Sequence, residues 1–159
     1  MNAKAEFLKS DFVPLLKTIA SDTPPKWGKM SLQQMTEHFS DSMRIASGAA
    51  PHEKIVTPSE NLQRMRDFML SEKPFKENTP NPLMSETPAP VRNKSIADSF
   101  SELQKEIDYF FEVFEERRQQ SSRNPFFGDL SFDENVHLLY KHALHHLKQF
   151  GVEVNTIQR

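Results

Sequence analysis

Any chemistry in this chain rests on histidine, carboxylate, hydroxyl and amide groups, because the 159 residues include no cysteine. That excludes a disulfide scaffold, a cysteine nucleophile and a thiolate-bound metal. A metal would have to sit on imidazole, carboxylate and water. Six histidines are present, and three of them fall in one stretch, Tyr140-Lys141-His142-Ala143-Leu144-His145-His146-Leu147-Lys148-Gln149-Phe150-Gly151. His142 and His146 have the H-x-x-x-H spacing. In a helix this puts their imidazoles about 40° apart on one face, one turn above the other. Two ligands for one metal ion can be delivered that way.

A helical wheel for this stretch points Phe132, Val136, Leu139, Ala143, Leu147 and Phe150 toward a core. His146 lies close to that direction. His142 lies at its edge, in line with Asn135, Leu138 and Gln149. His145 sits further out and is the main competitor as a ligand. His137 falls with Lys141 and Lys148 on the side expected to face solvent. Taken alone, such a pair more often consists of edge histidines bonded to a backbone carbonyl or to water. A zinc-protease helix would carry glutamate directly after the first histidine; Ala143 stands there, so that chemistry is unsupported. His38, on an earlier helix, reads by itself as a boundary residue between core and solvent. Two inward histidines on one helix and a third on another would form a three-imidazole centre with coordination positions open to water or substrate.

The elements that must position these residues read as helices. Residues 3–20 carry Phe7, Leu8, Phe12, Leu15, Leu16 and Ile19 at steps of mostly three or four, with Pro14 predicting a kink or two short helices. Residues 21–28 form a loop punctuated by Pro24, Pro25 and Gly28. Ser31 and Gln34 make a capping box for a helix to Ser47, stopped by Gly48. Ser59 is expected to cap a third helix over 60–72. Five of the eleven prolines lie in 73–92 (Pro74, Pro80, Pro82, Pro88 and Pro90). They forbid a regular helix and predict a long surface crossover within a single domain spanning 1–159. Ser95 opens the longest helix, about 96–120, along a stripe of Ile96, Phe100, Leu103, Ile107, Phe110, Phe111 and Phe114. Residues 124–130 read as an aromatic loop. Ser131 and Glu134 cap the last helix, which Gly151 ends. The tail from Val152 to Arg159 is a short strand or an arm. The fold class is all-α, a helical bundle.

Other residues have expected places. Trp27 either walls a pocket as a substrate platform or, the favoured reading, anchors the loop that enters the second helix. Glu37 points about 100° away from His38 and is not a co-ligand. Gln149 either bonds a ligand imidazole or bound water, or serves as a polar helix end. Asp108 and Tyr109 border the phenylalanine stripe within reach of a pocket. Phe126 and Phe127 seal one end, and Met35, Met43, Met65 and Met69 are core.

The formal net charge is −2, with acids and bases mixed, so no nucleic-acid partner is expected. Four glycines against thirteen phenylalanines favour aromatic-packed helices over a turn-rich β fold. No secretory leader and no transmembrane stretch is read, which makes the cytoplasm the expected location and leaves no membrane partner. The sequence is compatible with a homodimer through an exposed helix face, although no dedicated interface can be read.

Two segments resemble a known superfamily. Pro25-Lys26-Trp27-Gly28-Lys29-Met30-Ser31-Leu32-Gln33-Gln34-Met35-Thr36-Glu37-His38 is similar to the P-x-W-G-x-M-S-x-x-Q-M-x-x-H segment of a branch of the DinB/YfiT-like metalloenzymes. Pro125-Phe126-Phe127-Gly128-Asp129-Leu130-Ser131, leading to the histidine stretch ending at Gly151, resembles that branch's C-terminal signature. Together they cover about a quarter of the chain. The resemblance implies a four-helix bundle of the DinB-like type with a divalent metal held by His38, His142 and His146. Zn²⁺, Ni²⁺, Fe²⁺ and Mn²⁺ all suit imidazole ligation. It also implies a small thiol and an electrophilic small molecule as substrates of an S-transferase, or related transfer or hydrolysis. The branch has no assigned reaction. A non-enzymatic binding or stress-response module on the same scaffold is the alternative.

Overall fold

The computed structural model describes residues 2–79, 81 and 83–155. Pro80 and Pro82 of the expected crossover, and residues 156–159 of the tail, lie outside the described residues; Val152–Asn155 form no strand. The protein is mostly helical. Helix α1 spans residues 3–17, α2 Leu32–Ser47, α3 Ser59–Leu70, α4 Ile96–Glu116 and α5 Phe132–Gln149. Strands β1 (Ser122–Asn124) and β2 (Gly128–Leu130) pair antiparallel, with Arg123 opposite Asp129. Among the described residues no helix is long and apolar enough to cross a membrane.

Local chemistry accounts for the helix ends. The side chain of Ser31 accepts from the N–H of Gln34 at the start of α2, and Ser131 accepts from that of Glu134 at the start of α5. Both capping boxes are complete. Gly48 and Gly151 follow these helices with φ of +85° and +87°, a left-handed conformation that lets the chain leave the helix. In α1, Pro14 offers no N–H and its ring crowds the preceding turn. The chain accommodates it with a π-helical turn, Phe7–Asp11, where the N–H of Phe12 reaches back to the carbonyl of Phe7. Two short α-helical pieces, Ala3–Glu6 and Phe12–Lys17, flank this turn, as Pro14 predicts.

Several boundaries differ from the expectation. Ser59 is the first residue of α3 with Pro58 before it, and it makes no cap. The helix ends at Leu70, where the Ser71 hydroxyl bonds the Phe68 carbonyl at 2.6 Å. Helix α4 ends at Glu116, short of residue 120. Two glutamates at its C-terminus oppose the helix dipole and disfavour further turns. The stretch 124–130 is a hairpin, not a plain loop. Asn124 Oδ1 accepts from the N–H groups of Phe126 and Phe127 and turns the chain.

The main core lies between α1, α2, α4 and α5. Phe12 meets Phe39 with ring centroids 4.7 Å apart, and Phe110 stacks on Phe132 at 5.8 Å. Met35 and Met43 are fully buried in it. A smaller cluster of Met69, Phe127, Leu130 and Leu138 lies under α3.

That second cluster overturns one expectation. His137 and Lys141 are not on a solvent face; they are 1% and 6% exposed. Helix α3 covers that side of α5, and a wheel drawn for one core direction cannot show a second. The Lys141 ammonium donates to the carbonyls of Phe68, Met69 and Ser71 at 2.9–3.1 Å, closing the end of α3. Burial pulls its pKa down to about 8, with Glu72 opposing. His137 donates from Nε2 to the Ser71 carbonyl and accepts at Nδ1 from Lys4, which also pairs with Glu72. Lys148 does remain exposed and pairs with Glu77.

The proline-rich crossover is tied down by Glu37. This buried carboxylate accepts from the backbone N–H groups of Arg92 and Asn93, the Asn93 amide and the Ser99 hydroxyl, at 2.8–3.2 Å. Burial by itself would raise its pKa; the donors outweigh that and lower it to about 2. Gln34 adds a bond to the Ala89 carbonyl. Replacement Glu37→Ala is expected to cost about 2–3 kcal/mol of stability and to speed proteolysis within 73–92. Urea denaturation and limited proteolysis check both; unchanged values would mean that the remaining glutamine and arginine contacts hold the segment.

Candidate metal centre

The centre is built from two helices. His38 comes from the second turn of α2; His142 and His146 come from successive turns of α5. The packing of α2 against α5 turns the three imidazoles toward one another. His142 Nε2 lies 2.8 Å from His146 Nε2 and 3.3 Å from His38 Nε2. One ring nitrogen from each of the three residues falls within 4.8 Å of the other two. Phe39, the neighbour of His38, lies nearly parallel to the His142 ring at 4.7 Å and walls the cluster from the core side.

These residues fit a divalent ion. Two nitrogens at a zinc–nitrogen distance of about 2.05 Å are about 3.3 Å apart at a tetrahedral angle and about 2.9 Å apart at a right angle. The two observed separations match those values closely. The donor set is all imidazole: among the described residues no carboxylate joins the cluster. Glu37 is turned away and occupied by Arg92, Asn93 and Ser99, as its angular offset from His38 predicts.

Burial sets the protonation. It pushes the pKa of His38 down from 6.5 and those of His142 and His146 well below it. For His142 the neighbouring imidazoles add to the effect; for His146 the Gln149 side chain opposes it. Asp41 partly offsets burial at His38. At neutral pH all three are uncharged and carry a nitrogen lone pair, the form that binds a metal.

The remaining candidates fall into place around this cluster. His145, the competing ligand, packs instead against Trp27 at 5.3 Å and Phe75 at 6.3 Å. Its ring is 5.2 Å from that of His146, but it is not in the converging group. Gln149 places Oε1 2.8 Å from His146 Nδ1, and so bonds an imidazole of the cluster. The Trp27 backbone ties its loop to the end of α5: its carbonyl accepts from the Gln149 amide at 3.0 Å. Tyr109 lies elsewhere, on a cavity of about 730 Å³ at the C-terminal ends of α2 and α4 that none of the three histidines lines. Asp108 is exposed and bonds Gln104. Nothing in the spacing of the wall residue Phe39 marks its contact with His142 across helices.

No protein-family model, curated protein or solved structure gives a significant match to the chain.

The depressed imidazole pKa values make the metal-free protein acid-sensitive. A histidine that ionises near 6.5 when unfolded and lower when folded binds fewer protons in the native state between those values. Stability is therefore fully present above about 6.5 and falls as the pH drops toward the native pKa values. Thermal unfolding of chelator-treated protein is expected to show this fall, and a His142→Gln, His146→Gln protein a flatter profile. Equal slopes would place the acid sensitivity in other groups.

Proposed function

We propose that the chain is a metal-dependent enzyme of the DinB-like kind, located in the cytoplasm, with His38, His142 and His146 as the ligands of one divalent ion. The observation that carries this reading is the convergence of three neutral imidazole nitrogens from two helices at separations suited to one ion. The resemblance of Pro25–His38 and of the C-terminal stretch supports the same assignment. With it goes a four-helix bundle of the DinB-like type, in which α1, α2, α4 and α5 are the members and 73–92 the crossover.

When bound, Zn²⁺, Ni²⁺, Fe²⁺ or Mn²⁺ supplies Lewis-acid activation of a small thiol or a water. The three histidines are neutral donors and cancel none of the positive charge needed for that. Phe39 keeps water off one side of His142. Because the chain has no cysteine, any thiol comes with the substrate, and an electrophilic small molecule is its partner. No nucleic acid or membrane enters this reading.

A second reading has one observation in its favour. The 2.8 Å contact between His142 and His146 lets the imidazoles satisfy one another without an ion. A non-enzymatic binding or stress-response module could keep the scaffold on those terms.

Protein purified without a histidine tag is expected to carry a divalent metal by elemental analysis, and to lose it in His38→Ala, His142→Ala and His146→Ala. It is expected to join small thiols to electrophiles and to stop when the metal is chelated. Metal content unchanged in the variants would refute the ligand assignment. A metal-loaded protein inert toward thiols, electrophiles and hydrolysable esters would favour the binding module.

A further inference from the structure

Gln149 sits one turn beyond His146 and is 3% exposed. Both ends of its amide meet groups whose chemistry leaves no choice of orientation. The Trp27 carbonyl, 3.0 Å from Nε2, can only accept, so the amide NH₂ must face it. Oε1 then faces His146 Nδ1 at 2.8 Å, and it too can only accept. The proton of neutral His146 must therefore reside on Nδ1. That leaves Nε2 with a bare lone pair facing the Nε2 atoms of the cluster. A free histidine side chain prefers the opposite tautomer, with the proton on Nε2; the hydrogen bond at the other nitrogen decides which is present.

The same residue also holds the loop before α2. The N–H of Lys26 donates to the Gln149 carbonyl at 2.7 Å. Gly28 adopts φ of +75°, and a Cβ there would stand 3.2 Å from Gln149 Nε2. The left-handed backbone favours glycine, and a larger residue would also press on the Gln149 amide. The Trp27 ring lies beside His145 on the same end of α5.

We propose that Gln149 is a positioning residue for the metal centre: relayed from the Trp27 carbonyl, it fixes His146 as an Nε2 donor, and it couples docking of the 26–28 loop to ion binding. This rests on the reading of His38, His142 and His146 as ligands. Coupling of this kind is reciprocal, so an occupied centre holds the loop and a docked loop favours occupancy.

Nitrogen-resolved NMR of metal-free protein reads the tautomer directly. His146 is expected as Nδ1–H in the wild type and in Gln149→Glu, whose carboxylate accepts the same N–H, and as Nε2–H in Gln149→Leu. Competition of Zn²⁺ against a chromophoric chelator is expected to show Gln149→Leu weaker by about 10- to 100-fold, the usual cost of removing a partner of a ligand histidine. Gln149→Glu keeps most of the affinity but cannot donate to Trp27. The emission of Trp27, the single tryptophan, should therefore respond to Zn²⁺ in the wild type and not in Gln149→Glu.

Nε2–H on His146 in the wild type overturns the proposal, and so does a folded Gln149→Leu that binds Zn²⁺ like the wild type. The wild-type spectrum needs no variant, so an unstable Gln149→Leu leaves the question decidable. Wild-type protein that binds no Zn²⁺, or binds it equally with His142→Ala, overturns the ligand reading and with it the coupling to ion binding. The tautomer spectrum then still decides whether Gln149 orients His146.

Discussion

Three imidazoles can share one small, half-dry space only if they are neutral and their helices approach closely. Two protonated rings at 2.8–3.3 Å would repel, and burial already disfavours charge. The approach of α2 to α5 is therefore the constraint on which the centre depends. Ala143, between the two histidines of α5, is fully buried and brings only a methyl group. Phe39 fills the space behind His142 and meets Phe12 on its other side, linking the cluster to α1. The centre is thus one edge of the main core, and its geometry is inherited from aromatic packing.

The chain neighbours of the proposed ligands carry a second layer of organisation. Successive helical residues point about 100° apart, so the residue beside a ligand faces a different partner. Glu37, next to His38, gathers donors from 92–99. Lys141, next to His142, closes the end of α3 at 68–71. The irregular segment between α3 and α4 is consequently gripped at both ends by buried charges one residue from the histidines. Each charge is affordable in the interior because it is saturated with hydrogen bonds. An unpaired carboxylate or ammonium at either place would instead cost stability.

Gln149 and Trp27 extend the same logic to the third side. A polar side chain at a helix end could have been solvated, as the sequence allowed. Burial forces it to satisfy both its oxygen and its nitrogen within the protein, and the partners at hand are a histidine of the cluster and the carbonyl of the entering loop. The all-imidazole donor set also bears on chemistry. Donors without charge would leave the positive charge of a divalent ion uncancelled if one were held there.

Much of this was legible from residue types and spacing. The capping boxes at Ser31 and Ser131, the stops at Gly48 and Gly151, the phenylalanine stripe of α4 and the inward setting of His146 follow from local rules that act within one or two turns. So does the separation of Glu37 from His38, which is an angle along one helix. The sequence alone could not decide what lies across from each face. The burial of His137 and Lys141 required α3 to cover a second side of α5, and the hairpin at 122–130 required pairing of segments too short to show alternation. The convergence of His142 and His146, rather than His145, with His38 follows from the crossing of two helices more than a hundred residues apart in the chain. Periodicity determines the direction of a side chain about its own helix axis; only tertiary packing determines what that direction meets.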